Sequence, residues 1–265
     1  MAQTELTGKI LRSQLGDVYN RSGHPLDGCP IAALDPISTF SGYQYYANDF
    51  IEYTGPTTGV SVSTGGWICN DTNGAVIGGE AAGAGYGILS IATDTAENDC
   101  SVLQHVGETW KYVVGKRLWC FARLSISDPA DDEAFFGLAS VAAEAVDTMA
   151  EVLALDDGIY FEKNESNEEW DFHTRKSDVS TESTLCTSTF SAGIMRILGF
   201  AVDATGKVTA YEGTTMNDLT EVATVAAGTA TIPDDVELCL TFAVEAGAAA
   251  ANTMKVDWVF VAQER

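Results

Sequence analysis

Strict alternation of apolar and other residues is the strongest pattern in this chain, and it is typical of β-strands whose two faces meet different surroundings. Between positions 236 and 244 every even residue is apolar: Val236, Leu238, Leu240, Phe242 and Val244. The positions between them carry smaller or polar residues, such as Glu237 and Thr241. The segment therefore predicts a strand with one buried face and one mixed face.

A second alternating segment extends from Arg117 to Ile126. Here both faces carry bulky side chains, since Trp119 and Phe121 alternate with Leu118 and Leu124. We therefore expect a central strand that is covered on both sides.

The C-terminal segment 256–261 predicts a long last strand. In a regular strand, Val256, Trp258 and Phe260 fall on one side and Asp257 begins the other. One face of this strand should therefore be apolar and aromatic.

Turn residues and one alanine-rich stretch separate the strands. Gly206 lies between the apolar runs 194–202 and 207–211, which predicts a hairpin whose glycine adopts a positive φ. The run from Asn70 to Gly74 predicts a turn between strands at 60–69 and 75–79. Residues 139–150 contain no Gly or Pro, and they predict a short helix or a covering loop.

Many strands with almost no helical periodicity predict an all-β, antiparallel sandwich or barrel. After residue 36 the sequence shows no long linker, so residues 36–265 read as one domain. Residues 1–35 alternate poorly and contain Lys9, Arg12 and Arg21, three of the 14 basic residues in the chain. This segment predicts an extended N-terminal arm.

The charge balance restricts the possible partners. The 265 residues include 14 Lys and Arg against 38 Asp and Glu, a formal net charge of -24, which argues against nucleic-acid binding through the phosphate backbone. The sequence shows neither a secretory signal nor an apolar stretch long enough to span a membrane, so we expect synthesis in a cytosol and no membrane partner. None of the six cysteines lies in a CxxC pair, which predicts reduced thiols rather than metal ligands.

The order of short motifs along the chain resembles that of a known family. The motifs are Asn48-Asp49-Phe50, Gly65-Gly66-Trp67, Leu118-Trp119-Cys120-Phe121-Ala122-Arg123, Phe136-Gly137-Leu138, Asp157-Gly158-Ile159-Tyr160-Phe161, Phe200-Ala201-Val202-Asp203 and Val256-Asp257-Trp258-Val259-Phe260. Over roughly residues 40–265 they resemble the concanavalin A-like (laminin G-like) jelly-roll sandwiches of tailed-phage virion proteins, including capsid decoration or cement proteins. The resemblance implies an antiparallel jelly-roll β-sandwich.

For function, the resemblance implies a non-enzymatic virion protein that decorates or cements a phage capsid. Its partners would be capsid proteins and other copies of itself, as a homo-oligomer, with a trimer suggested by family analogy. It would be made in the host cytoplasm and reside in the virion. Within the arm, the basic and aromatic residues Lys9, Arg12, Tyr19 and Arg21 are the candidate partner contacts.

Two other functions stay open at the sequence level. A lectin-like module on a virion surface or fibre would bind glycan through loop carboxylates with Trp67 or Trp170. A glycoside hydrolase would use paired carboxylates on one strand face, and period-two geometry puts Glu169, Asp171 and His173 on one face. The sequence departs from the Glu-x-Asp-x-Glu pattern of such hydrolases at His173, so we interpret this as a solvated polar face and predict no enzymatic activity.

We predict no cofactor. Loops rich in Asp or Asn could together hold a structural Ca²⁺, but none has the spacing of an EF-hand, and turn formation is the simpler interpretation. These loops lie at 70–73, 128–133, 156–157 and 234–235. The glycines between 78 and 87 are interpreted as a loop, because they lack the strand and helix of a phosphate-binding turn.

Overall fold

The computed structural model describes residues 43–50, 53, 55–57, 62–64, 66–71, 76–79, 87–107, 109–140, 148–165, 168–184 and 190–265. Within these ranges there are sixteen strands and one short helix, α1 (Met149–Leu153). The strands are β1 (Tyr43–Asn48), β2 (Val62–Thr64), β3 (Trp67–Asp71), β4 (Val76–Gly79), β5 (Leu89–Ala92), β6 (Cys100–His105), β7 (Leu118–Ile126), β8 (Asp132–Ala139), β9 (Gly158–Lys163), β10 (Trp170–Lys176), β11 (Val179–Thr184), β12 (Arg196–Val202), β13 (Val208–Gly213), β14 (Thr220–Val225), β15 (Cys239–Ala246) and β16 (Thr253–Glu264). The predicted arm, with Lys9, Arg12, Tyr19 and Arg21, lies outside the described residues.

The strands form two antiparallel sheets. Sheet A has the order β14-β13-β12-β7-β16-β5-β4, and β1 also pairs with β16. Sheet B has the order β11-β10-β9-β8-β15-β6-β3-β2. Neighbours that are distant in sequence, such as β7 with β16 and β8 with β15, show that the chain passes repeatedly between the sheets. This confirms the predicted antiparallel sandwich.

The main core lies between the inner faces of the two sheets, and the alternation predicted it correctly. Leu118, Leu124, Leu240 and Phe242 are completely buried there. As predicted, β7 is a central strand, between β12 and β16. The opposite side of β7, including Trp119, is also buried, in a separate cluster on the outer face of sheet A.

The prediction that Val256, Trp258 and Phe260 share one side of the last strand was wrong. Val256 belongs to the inner core, whereas Trp258 and Phe260 belong to the outer cluster of sheet A. The cause is a β-bulge, because the register of β16 against β7 shifts between Val256 and Trp258. One extra residue reverses the side on which all later side chains lie.

The predicted hairpin at Gly206 is confirmed as the connection from β12 to β13, with φ +93° at the glycine. Asp203 fixes this turn, since its carboxylate accepts hydrogen bonds from the backbone N–H groups of Thr205 and Lys207 at 2.8 and 3.0 Å. The strand predicted at 60–69 is instead a hairpin of β2 and β3, and Gly66 between them has φ +84°. Of the turn predicted from Asn70 to Gly74, Asn70 and Asp71 are the last residues of β3, and residues 72–74 lie outside the described part of the chain. The strands β3 and β4 lie in different sheets and are not paired with each other.

The helix prediction was displaced along the chain. Ala139 is the last residue of β8 and pairs with both Cys239 and Gly158, so strand pairing overrides the helix propensity of alanine there. The helix α1 begins after Thr148, whose hydroxyl accepts a hydrogen bond from the Glu151 N–H at 3.3 Å. Residues 141–147 lie outside the described part of the chain.

The cysteines at 69, 100, 120 and 239 are buried thiols, as predicted for reduced residues in strands. Burial and, to a smaller extent, the charge of Asp71 raise the pKa of the Cys69 thiol to about 12. The Cys69 thiol is therefore protonated at neutral pH. Cys29 and Cys186 lie outside the described residues. In the part of the chain that is described, no helix has the length and hydropathy needed to cross a membrane.

Candidate functional site

The polar stretch singled out in the sequence lies at the start of β10. Trp170 and Phe172 point into the main core, while Asp171 and His173 lie on the outer face of sheet B, so the period-two prediction holds for these four residues. Glu169 precedes the strand and is half-buried. The prediction of a solvated face was wrong, because Asp171 and His173 are only 7% and 8% exposed.

The neighbouring strand β9 supplies the partners of this polar group. The Nε2 atom of His173 lies 3.1 Å from Oε2 of Glu162, and the imidazole stacks on the Tyr160 ring with centroids 5.1 Å apart. In the register of the sheet, Tyr160 faces His173 and Glu162 faces Asp171. The stretch therefore forms an enclosed polar cluster across two strands, which we call the His173 cluster: Tyr160, Glu162, Asp171 and His173.

A retaining glycosidase needs two carboxyl groups about 5–5.5 Å apart on either side of the bond it cleaves, with room for the sugar between them. In the His173 cluster, Glu162 and Asp171 are less than 10% exposed and Glu162 is engaged by the imidazole. A substrate could reach these carboxylates only if the face opened. The arrangement is that of a structural polar cluster.

The helix α1 covers the part of the outer face of sheet B that is formed by β6, β8, β9 and β15. Met149 and Val152 of the helix pack with Phe135 and Tyr160 in a second buried cluster. The carboxylate of Glu245 accepts a hydrogen bond of 2.6 Å from the Met149 N–H. Glu245 is only 7% exposed, and this burial raises the pKa of its carboxyl group.

The outer face of sheet A carries a run of stacked aromatic rings. Centroid separations along the run are 6.0 Å from Tyr211 to Phe121, 5.4 Å from Phe121 to Phe260 and 6.0 Å from Phe260 to Trp258, with interplanar angles of 24°, 19° and 15°. Gly199 makes the run possible, because a Cβ atom at this position would stand 2.1 Å from the Phe121 ring. The stacked run joins three strands into one aromatic surface.

At its end the stacked run borders a groove of about 350 Å³, which we call the Trp258 groove. Its lining residues are Ala47, Asn48, Asp49, Trp258, Val259 and Phe260. Trp258 is half-buried and Asp49 is exposed, so an indole and a carboxylate both meet solvent here.

The amide of Asn48, which lines this groove, is held in place by two hydrogen bonds. Its Oδ1 accepts a hydrogen bond from the Phe50 N–H at 2.7 Å, and its Nδ2 donates to the Tyr46 hydroxyl at 3.0 Å. Phe50 has φ +52°, and its side chain is buried in the main core. The groove therefore has a fixed wall where β1 ends.

The bulge in β16 places Trp258 beside an ion pair. Arg123 faces Trp258 in the register, and its Nη1 lies 2.5 Å from Oδ2 of Asp257. In a regular strand, Asp257 and Trp258 would point to opposite sides. This site could not be predicted from the sequence, because nothing in the alternation marks the extra residue.

The tryptophans proposed from sequence as glycan contacts are wrong for that role. Trp67 is 2% exposed and Trp170 is completely buried, and both belong to the main core. Trp67 packs edge-on against Tyr46 and His105 with centroids 6.1 and 5.1 Å apart. Their aromatic rings pack in the core and offer no surface to a glycan.

The described parts of the proposed calcium loops use their carboxylates as turn acceptors. Asp128 accepts from the Ala130 N–H at 3.1 Å and Asp157 accepts from the Ser177 N–H at 3.0 Å, while Asp234 contacts Lys176. Among the described residues, no group of three or more His, Cys, Asp or Glu side chains could hold a metal ion. This geometry gives no support to a structural Ca²⁺ at these loops.

No protein family and no curated protein matches this sequence. Solved structures do match in fold. Lectin II from Ulex europaeus has 12% identity, covers 85% of this chain and 100% of its own, and gives a TM-score of 0.55. The endo-1,3-β-glucanase from Streptomyces sioyaensis has 12% identity, with 84% and 97% covered and a TM-score of 0.52. A protein of unknown function from Shewanella oneidensis MR-1 has 15% identity, with 84% and 87% covered and a TM-score of 0.54.

The two antiparallel sheets and these neighbours place the chain in the concanavalin A-like jelly-roll class of folds. This confirms the fold that the sequence motifs implied. The same fold carries a lectin and a glucanase among the neighbours, so function has to be argued from the sites on this chain.

Proposed function

We propose that this protein is a non-catalytic carbohydrate-binding module, and that it binds a neutral glycan in the Trp258 groove. The observation that carries the proposal is the stacked aromatic run that ends in the half-buried Trp258, beside the amide of Asn48 and the carboxylate of Asp49. Flat apolar surface next to a few fixed polar groups is the usual composition of a small-molecule site.

The chemistry of a sugar ring suits this groove. The C–H face of a pyranose is apolar and can lie on an indole, while its hydroxyl groups can hydrogen-bond to carboxylate and amide groups at the edge. The groove measures about 350 Å³, which falls in the range of about 300–1,000 Å³ for ligand pockets. A net charge of -24 repels anionic ligands, which favours an uncharged glycan.

Binding without cleavage is favoured by the state of the carboxylates. Glu162 and Asp171 are enclosed in the His173 cluster, away from the Trp258 groove on the other sheet. Among the neighbours in fold, one is a lectin with a galactose complex and another is a carbohydrate recognition domain, alongside the glucanase. These neighbours support sugar binding as a capacity of the fold.

The test is a glycan array followed by titration of the best neutral glycan. We expect Trp258→Ala to weaken binding by tenfold or more, roughly the 1.4 kcal/mol that an aromatic contact can contribute. Trp258→Phe should retain part of the affinity because it keeps a ring in place. Tyr45→Ala is the matched control, since Tyr45 is 47% exposed on the neighbouring strand and does not line the groove.

Two results would overturn this proposal. One is the absence of glycan binding by the wild-type protein across the array. The other is an unchanged affinity in Trp258→Ala with native circular dichroism, which would move the binding site elsewhere.

Decoration of a phage capsid is the second candidate function. It is favoured by β1, which begins at Tyr43, after the arm predicted at residues 1–35, and, among the described strands, pairs with β16 alone, leaving Tyr45 exposed. The free backbone groups of an edge strand can pair with another chain, so β1 could contact a neighbouring subunit.

The test of decoration is co-sedimentation with undecorated capsids of the parent phage, using the full chain and a variant without residues 1–35. Capsid binding that requires the arm, by a closed oligomer in light scattering, would support cementing. Failure of the full-length protein to co-sediment would reject it.

A further inference from the structure

A second pocket lies at one end of the sandwich, away from the Trp258 groove. It is formed where the β6–β7, β12–β13 and β14–β15 connections meet the end of β10, and it encloses about 240 Å³. We call it the Tyr112 pocket. Its lining includes Tyr112, Lys176, Thr205, Gly206, Thr229 and Asp234, and it shares no residue with the groove.

The hydroxyl of Tyr112 is the distinctive feature of this pocket. Tyr112 is 3% exposed, and within the described part of the chain its Oη atom is buried without a hydrogen-bond partner. Buried polar atoms are nearly always paired, and an unpaired one costs about 1–3 kcal/mol. Such an atom in the wall of a cavity indicates that something else supplies the partner.

Gly206 brings the turn and the hydroxyl together. With φ +93° this position favours glycine, and a Cβ atom here would lie 2.6 Å from the Tyr112 Oη. The absence of a side chain at Gly206 therefore leaves room for the Tyr112 hydroxyl beside this turn, and both residues line the pocket. Gly228 on the opposite loop also has a positive φ, of +77°, and no atom stands within 4 Å of where its Cβ would be.

The charges around the pocket argue against an ionic ligand. Lys176 is already engaged by both Asp234 and Asp235, and Lys111 donates to the Asp235 carbonyl at 2.8 Å. Burial raises the pKa of Tyr112, and the carboxylates of Asp203 and Asp234 raise it further, so the phenol keeps its proton. Lys176, the cation in the pocket lining, is therefore already paired with carboxylates, and an apolar ligand would leave the phenol unpaired.

We propose that the Tyr112 pocket binds a small uncharged ligand that carries hydroxyl groups, of the size of one sugar ring or a polyol, and that Tyr112 Oη hydrogen-bonds to one of those hydroxyls. The volume corresponds to about eight water molecules at ~30 Å³ each, which suits a ligand of the size of a single sugar ring. Thr205 and Thr229 also line the pocket. This site is independent of glycan binding at Trp258.

The experiment is an NMR titration of the full chain with D-glucose, D-galactose, D-mannose, N-acetyl-D-glucosamine and glycerol, each added separately. The amide signals of Gly206 and Gly228 report on the pocket, and the Trp258 indole signal reports on the groove. We expect at least one probe to shift both glycine signals with saturation, including in a Trp258→Ala background.

Two variants test the role assigned to the phenol. Tyr112→Phe should weaken binding by about tenfold, the value of one hydrogen bond, while its Tm stays equal to or above that of the wild type because an unpaired hydroxyl is removed. Ala230→Trp, at an exposed lining position, should abolish the shifts by filling the pocket. Tyr53→Phe is the matched control: its hydroxyl donates to the Pro56 carbonyl at 2.8 Å, so this variant should lower Tm without changing binding.

Three results would overturn the assignment. They are the absence of glycine shifts with all five probes, an unchanged affinity in Tyr112→Phe, and a loss of Tm in Tyr112→Phe as large as in Tyr53→Phe. The last would mean that the hydroxyl has a structural partner. None of them bears on the Trp258 groove, whose indole signal and variants are read separately.

Discussion

The outer faces of the two sheets differ in how far a ligand can reach their polar and aromatic side chains. The outer face of sheet B carries Asp171 and His173, which the sequence offered as candidate catalytic residues, yet both are buried, and His173 contacts Glu162 and Tyr160. The helix α1 covers part of the same face. The outer face of sheet A carries aromatic residues that look like ordinary core in sequence, yet its stacked run ends at a groove open to solvent.

The type of a residue therefore does not decide whether a ligand can reach it. A carboxylate contributes to binding or catalysis only where a ligand can reach it, and burial with a partner removes that access. An aromatic ring at the rim of a buried cluster does the reverse, because its neighbours hold it rigid while one face stays free. In this molecule, the outer face of sheet A is therefore the one whose side chains a ligand can reach.

The largest expected effect tests whether both outer faces are packed. Phe121 on sheet A and Phe135 on sheet B are each completely buried. We expect Phe121→Ala and Phe135→Ala each to lower the free energy of unfolding by about 3–5 kcal/mol, measured by urea denaturation. Tyr45→Ala, at an exposed position on β1, should cost much less. A loss in Phe121→Ala no larger than in Tyr45→Ala would show that the stacked run does not behave as core.

The next largest effect is on the pH dependence of stability, in which one carboxylate of each sheet takes part. Burial raises the pKa of Asp132, at the start of β8 in sheet B, to about 7, and its Oδ1 is buried without a hydrogen-bond partner in the described part of the chain. By contrast, a hydrogen bond from Thr214 lowers the pKa of Asp218, next to β14 in sheet A. The two groups therefore link folding to pH with opposite signs.

Between its ordinary pKa near 4 and its folded value near 7, Asp132 binds more protons in the folded than in the unfolded protein. The free energy of unfolding should fall by about 1–3 kcal/mol as pH rises through this window. Urea denaturation at several pH values measures it, and Asp132→Asn should flatten the curve. Asp218→Asn is the control and should leave the slope between pH 4 and 7 in place. A stability that rises across this window in the wild type would contradict the assignment.

A smaller effect tests the His173 cluster as structure rather than catalytic machinery. Glu162→Ala removes the carboxylate beside the buried imidazole, and we expect a loss of about 1–2 kcal/mol in urea denaturation. Glu169→Gln, before the strand, should change stability by less than about 0.5 kcal/mol. We also expect no release of reducing sugar from β-glucans by the wild type. Release that is lost in Glu169→Gln would overturn the non-catalytic proposal.

The sequence predicted what depends on local alternation. The inner faces of β7 and β15 and the Gly206 hairpin follow from residue spacing alone, and the structure confirms them. Trp67 and Trp170 show the limit of this reasoning, because a tryptophan in a strand can face core or solvent and only the partner sheet decides which.

The Trp258 groove and the Tyr112 pocket could not be found in this way. The groove depends on one extra residue in β16, and the alternation around Asp257 contains no sign of it. The pocket joins Tyr112 to Gly206 and Asp234, which are far apart in sequence and meet only when the ends of both sheets are in place. Helix propensity failed at Ala139 for a related reason, since pairing with β9 and β15 outweighs it.

The smallest expected effect on stability is also the sharpest test of the bulge. The Arg123–Asp257 pair is partly exposed, with 38% and 27% of the two side chains accessible, so Asp257→Asn should cost only about 0.2–1 kcal/mol and less at high salt. If this pair holds the bulged segment, Trp258 should become more mobile and glycan affinity should fall by more than the stability does. The comparison variant is Lys255→Gln, on the same strand before the bulge, which should change neither quantity. Equal small losses in both variants would mean that the backbone alone sets the position of Trp258, because the register shift would then persist without the ion pair.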